Sequence, residues 1–228
     1  MTTLRLAGIR ACVFDAYGTL FDVNSAAAQA KDVLGAKWQP LADLWRTKQL
    51  QYTWLRGLMG CHVDFWQVTS DALDFAMDSQ KIDDAALRER LMQLYLSLKT
   101  YPEIKDTLSR LKASGMKLAI LSNGAPKMLA SAVENSGISH VLDAVLSVED
   151  VKVFKPHPSV YRLPVERFGF SANEMCFLSS NAWDANAAKA NGFRVIWCNR
   201  FGQPSERIPE PPDGQISTLA PLPDMVGA

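Results

Sequence analysis

Two aspartates, a lysine and several small hydroxyl and amide side chains stand directly after short apolar runs in this chain. Asp15 follows Ala11-Cys12-Val13-Phe14, and Ser122-Asn123 follow Lys117–Leu121. Lys155 comes after Ala144–Val148. Ser179-Ser180-Asn181 follow Met175–Leu178, with Asp184 just beyond. One carboxylate can attack or take a proton, a lysine can keep a neighbouring carboxylate ionised, and hydroxyls and amides can orient both. The set is an acid–base and nucleophile kit that needs neither histidine nor a metal cluster. Histidine occurs only at His62, His140 and His157, too few and too scattered for a zinc site. His157, before Pro158, reads as an exposed loop residue. No GxSxG elbow, P-loop or GxGxxG is present.

The apolar runs read as buried parallel strands ending in turn or polar residues. Helix-like segments follow them: Pro126 to Asn135, stopped by Gly137, and an Ala-rich run from about Asp184, stopped by Gly192. Phe193–Cys198 is a fifth strand. Strands alternating with helices imply a doubly wound α/β core with a parallel sheet, whose ligands bind beyond the carboxyl ends of the strands. Residues 22–100 differ, reading as helices without a strand. From Pro40, suited to a helix's first position, Leu41, Trp45, Tyr52, Leu55 and Met59 form one apolar stripe. Arg46, Leu50 and Trp54 lie on the opposite one. Further helices are predicted over Phe65–Met77 and Asp84–Lys99. The Pro-rich tail from Pro204 to Pro223 reads as irregular.

The chain has 228 residues, 48% of them apolar, enough for a real core. Its 24 Lys plus Arg balance 24 Asp plus Glu, which argues against a nucleic-acid partner. No apolar run reaches the ~18 residues of a membrane span. Arg5 and Arg10 interrupt the apolar lead, which runs into a strand, so a cleaved leader is not expected. Cys12, Cys61, Cys176 and Cys198 form no CxxC pair, and three sit in apolar runs as small hydrophobes; a reducing cytoplasm is expected.

In order along the chain stand Asp15-Ala16-Tyr17-Gly18-Thr19-Leu20-Phe21-Asp22, Leu121-Ser122-Asn123-Gly124, Phe154-Lys155-Pro156 and Ser179-Ser180-Asn181-Ala182-Trp183-Asp184. With Leu44-Trp45-Arg46 and Gln51-Tyr52-Thr53-Trp54, these strings resemble the L-2-haloacid dehalogenases of the haloacid dehalogenase superfamily, from Val13 to about Gly202. The resemblance implies a core of residues 1–20 and 100–228 with a helical cap of residues 21–99. It implies hydrolysis of short L-2-haloalkanoic acids to D-2-hydroxy acids through an aspartyl ester, with release of halide. No cofactor or metal, and a homodimer, are expected.

By that resemblance Asp15 is the nucleophile, Lys155 keeps it charged, and Asp184 positions Lys155 or activates the hydrolytic water. Asp184 would open its helix, where the dipole keeps it anionic or makes it an N-cap. Arg46 cradles the halide, Thr19 fixes the Asp15 rotamer, and Ser122 with Asn123 receives the substrate carboxylate. Ser179 and Asn181 complete the polar network, Tyr161 bonds Lys155 or Asp184, and Tyr17, Leu50, Phe65 and Trp183 form an apolar wall.

Phosphatases of the same fold carry a second acid where this chain has Tyr17, and a magnesium-binding Asp where it has Ser180. A halide leaves without proton or metal, so both replacements suit dehalogenation. A metal-dependent phosphatase and a non-catalytic small-molecule binding domain are the alternatives. Ala187, Asn191 and Thr47 depart from the family's usual glycine, phenylalanine and glutamine; Thr47 is expected to alter the pocket.

Overall fold

Ala11 to Phe14 offer no polar position to solvent, and all four are fully buried as strand β1. The computed structural model describes residues 4–23 and 31–228. Beside β1 lie β2 (Lys117–Ser122) and β4 (Met175–Ser179), with β3 (Ala144–Ser147), β5 (Arg194–Cys198) and β6 (Gly214–Ile216) outside them. All pairings are parallel, in the order β3-β2-β1-β4-β5-β6. The strand order reverses beside β1, the place where such sheets bind ligands. Phe14 is in register with Ile120 on one side and Leu178 on the other, so Asp15 emerges between the ends of β2 and β4.

Between β1 and Lys99 the described chain includes the helices α1 (Trp38–Met59), α2 (Phe65–Ser79) and α3 (Ala85–Leu94). The N-caps of α2 and α3 are Asp64 and Asp84, whose carboxylates accept from the Gln67 and Leu87 amides. The chain leaves and re-enters the sheet layer through paired backbone: Asp22 N donates to Lys99 O, and Tyr101 N to Leu20 O. Helices α4 (Ile104–Ala113), α5 (Pro126–Ser136), α6 (Pro158–Phe168) and α7 (Ala182–Ala190) link the strands, and α8 (Leu222–Val226) closes the chain. Residues 24–30, inside the expected cap, lie outside the described residues.

Several expectations are corrected. Helix α1 begins at Trp38, so Pro40 is its third residue, not its first. Its buried stripe is Leu41, Trp45, Gln49 and Thr53, whereas Leu55 and Met59 are 45% and 69% exposed. The polar pair replaces the apolar one because its hydrogen bonds are made inside: Gln49 Nε2 donates to Thr69 Oγ1 and Thr53 Oγ1 to Leu50 O. Helix α3 stops at Leu94, five residues before Lys99. The tail is not irregular throughout, since Gly214–Ile216 adds a sixth strand to the edge of β5. Asp184 is the third residue of α7; the N-cap position belongs to Asn181.

Candidate active site

The nucleophile candidate is fixed by the turn that follows β1. Gly18, at φ 86°, takes a left-handed conformation that a side chain would strain, and this brings Thr19 back over the strand end. Thr19 Oγ1 donates to Asp15 Oδ2 at 3.1 Å and accepts from Ser180 N at 2.8 Å. The same Oδ2 receives Asn181 Nδ2 at 3.0 Å and Ser179 Oγ at 3.4 Å. Oδ1 receives Lys155 Nζ at 3.2 Å. Asp15 is 6% exposed. One oxygen is thus held by three neutral donors, and the other faces a cation.

Lys155 Nζ also donates to Asp184 Oδ2 at 2.9 Å, and Tyr161 Oη donates to Asp184 Oδ1 at 2.6 Å. Asn123 does not reach Asp15; its Oδ1 accepts from Lys155 N at 2.9 Å and so holds the lysine's loop. Burial disfavours the charged ammonium, but Asp15 and Asp184 outweigh it and raise the Lys155 pKa above its ordinary value. Burial likewise raises the Asp184 carboxyl, against the pull of Lys155, and the Asp15 charge adds to the rise. The helix dipole is thus not the only influence on Asp184: desolvation and a second carboxylate act against its ionisation, and Lys155 and Tyr161 act for it.

Above this cluster sits Arg46. Its Nη1 donates to Gln49 Oε1 at 2.7 Å and its Nη2 to Asn181 Oδ1 at 3.2 Å. These are neutral acceptors, and among the described residues no carboxylate lies within ion-pair distance of this guanidinium. Asn181 links the two halves of the site, accepting from Arg46 and donating to Asp15. Leu50 is half-buried one turn further along α1, and Trp54 meets the Trp183 ring edge-on, centroids 5.5 Å apart. Tyr17 packs against Phe65 at 5.9 Å and Tyr95 at 6.0 Å. Its hydroxyl is buried without a partner, and burial, then Tyr95 and Asp15, push the phenol far above its ordinary range. It is no proton donor at neutral pH. Gly124 must be glycine here, since a Cβ would stand 2.7 Å from the Tyr17 ring. Ser122 Oγ, buried, accepts from Gly124 N at 3.0 Å. Thr47 is exposed and bonds Asp43 O, so it does not shape the pocket as expected. Asn191 donates to Ala187 O at the end of α7, away from the reacting groups.

Sequence reasoning missed two contributors. Gln49 shares its Oε1 between Arg46 and Tyr95 and is held by Thr69. Arg200 donates to Thr19 O at 2.8 Å, pairs with Glu103 at 2.7 Å and stacks 3.7 Å over the Tyr101 ring. It pins the Thr19 turn to the segment by which the chain returns to the sheet. The signal was available: Asn199-Arg200 follows β5 as Asp15 follows β1. Arg200→Gln is expected to lower unfolding free energy by about 2–3 kcal/mol, because Glu103 loses its partner. It should also lower kcat more than it changes KM. Denaturant titration beside steady-state kinetics checks both.

Among the described residues no three His, Cys, Asp or Glu side chains gather as a metal cage. A family model described as haloacid dehalogenase-like hydrolase matches residues 9–192. The chain is 45% identical over 215 residues to (S)-2-haloacid dehalogenase 4A of Burkholderia cepacia, covering 94% of this chain and 93% of that one. A solved dehalogenase with an intermediate complex superposes with a TM-score of 0.95 at 43% identity, over 97% of this chain and 99% of that one. The Xanthobacter autotrophicus L-2-haloacid dehalogenase with covalently bound chloropropionic acid does so at 0.89 and 37%, over 95% and 98%.

Proposed function

The chain belongs to the haloacid dehalogenase-like hydrolases, and from that premise we propose that it hydrolyses short L-2-haloalkanoic acids to D-2-hydroxy acids through an ester on Asp15. The observation that carries this reading is the pairing of a buried, fully hydrogen-bonded Asp15 with an Arg46 that has no carboxylate within ion-pair distance among the described residues. The guanidinium offers its charge to the departing halide, where negative charge develops. Asp15 Oδ1 attacks C2 from behind, the carbon–halogen bond breaks, and halide leaves with the electron pair. C2 is inverted. Ser122 and the backbone beside it receive the substrate carboxylate, and Tyr17, Leu50, Phe65 and Trp183 exclude water.

In the second step water attacks the Asp15 carbonyl carbon and gives its proton to Asp184. Negative charge then builds on Oδ2, where Thr19, Asn181 and Ser179 donate. Collapse expels the 2-hydroxy acid's oxygen, which takes the proton back from Asp184, and the Asp15 carboxyl loses the remaining water proton to regenerate the carboxylate. Lys155 keeps Asp15 ionised in the first step and orients the water in the second. No metal is needed, since halide leaves as an anion and one ammonium already serves both carboxylates. We place the core in residues 1–20 and 100–228, with the cap in 21–99. A homodimer through Leu55, Met59 and Phe75, all exposed, is part of the same reading. So is a reducing cytoplasm, which suits three buried free thiols, Cys12 pushed up to about 12 by burial. No helix among the described residues is long and apolar enough to cross a membrane.

The test is halide release from racemic 2-chloropropionate by chelator-treated protein, with chiral analysis. Loss of the L form alone, with D-lactate formed, supports the proposal. Magnesium-dependent cleavage of a phosphate ester without halide release contradicts it.

The pH profile follows from the cluster. Asp184 must be ionised to accept the water's proton, and its pKa is raised, so the acid limb of kcat should lie above the range of a free aspartate. The Lys155 pKa is also raised, so no loss from its deprotonation is expected until pH exceeds the ordinary lysine value. The Tyr161 hydrogen bond favours the Asp184 anion; Tyr161→Phe should move the acid limb further up. Single-turnover ester hydrolysis against pH measures both.

A further inference from the structure

Beside the reaction centre lies a cavity of about 600 Å³, much larger than a propionate side chain needs. Trp54 and Gly57 of α1 form one wall, Val153 and Ala187 of α7 the facing ones, and Pro209 the outer rim. Its lining is almost wholly apolar. Asn186 Nδ2 donates to Pro209 O at 3.0 Å and pins that rim to α7. Lys155 and Trp183 belong both to the cavity and to the site just described. Trp183 lies two residues from Asn181, which donates to Asp15, and its indole nitrogen is buried without a partner. The charged cluster and this half-open apolar cavity thus adjoin at Lys155 and Trp183.

That polarity gradient matches a carboxylate amphiphile. We propose that the cavity is a subsite for the alkyl tail of longer 2-haloalkanoates, six to eight carbons, with the Trp54–Trp183 pair at its throat. This rests on the dehalogenase reading and extends its substrate class. The carboxylate, C2 and halogen stay at Asp15 and Arg46; only the tail passes Trp183 into the chamber. Each methylene buried there should favour kcat/KM by about fourfold.

The experiment compares L-2-bromopropionate, L-2-bromohexanoate and L-2-bromooctanoate, with one leaving group throughout, in the wild type and in Gly57→Leu. A Cβ at Gly57 meets only Val153 Cγ2, at 3.9 Å, so a side chain can start there without a clash, at a position that lines the cavity. The wild type is expected to show kcat/KM at least tenfold higher for the octanoate than for the propionate. In Gly57→Leu that advantage should disappear, with propionate turnover within about twofold of wild type. Ala190→Phe, from the α7 wall, should act in the same way if Gly57→Leu folds poorly. Propionate turnover with no long-chain advantage overturns the subsite, as does an advantage that both fillings leave intact. Absence of turnover on all three substrates, propionate included, overturns the dehalogenase reading itself.

Discussion

Asp15→Asn is expected to abolish halide release, by about 10⁴-fold or more, with little change in stability. An amide oxygen is a poor nucleophile, and no other described side chain is placed to form the ester. The fold tolerates the change because the Lys155–Asp184 pair, at 2.9 Å, remains and becomes neutral as a unit. The Asp15 charge is one cause of the raised Asp184 pKa, so its removal should bring that carboxyl down. Unfolding free energy within about 1 kcal/mol of wild type, beside lost turnover, is the expected pair of results. A variant that still releases halide would remove Asp15 from the mechanism.

Lys155→Met should damage both activity and stability. It leaves two buried carboxylates, Asp15 and Asp184, with no ammonium between them. Stripping one partner from a buried ion pair costs about 3–5 kcal/mol. The two carboxyls then answer by holding a proton between them, which raises their folded pKa values above those of the unfolded chain. A group with a raised folded pKa contributes stability at low pH that is lost as pH rises through that value. The deficit relative to wild type should therefore be larger at pH 8 than at pH 5 in urea titrations. Turnover should fall by about 10³-fold or more, since a shared proton occupies the nucleophile. Equal deficits at both pH values would show that Lys155 does not neutralise the pair.

Most of the scaffold was legible because the central strands β1, β2 and β4 are plain apolar runs, each followed by a polar residue at the site. That pattern placed Asp15, Ser122, Ser179 and Asp184 correctly at one edge of the sheet. Strand β6 escaped because Gly-Gln-Ile has no apolar run and is an edge strand. The α1 stripe was misread because Gln49 and Thr53 are buried with their hydrogen bonds made, Gln49 to Thr69 of α2 and Thr53 to Leu50 O of its own helix. Hydropathy ranks Leu55 above Gln49, yet Leu55 faces outward. The upward shift of Asp184 was also out of reach, since it depends on complete burial and on the distance to Asp15 through Lys155. The buried, strongly raised Tyr17 phenol agrees with the expectation that it is a poor acid.

The central claim is that the product's new oxygen comes from Asp15 and the water's oxygen enters Asp15. A single turnover in oxygen-18 water, with enzyme in excess over L-2-chloropropionate, tests it most directly. The account predicts unlabelled D-lactate and one heavy oxygen in the peptide that contains Asp15. Labelled lactate on the first turnover, with Asp15 unlabelled, would contradict it and mean that water attacks C2 directly.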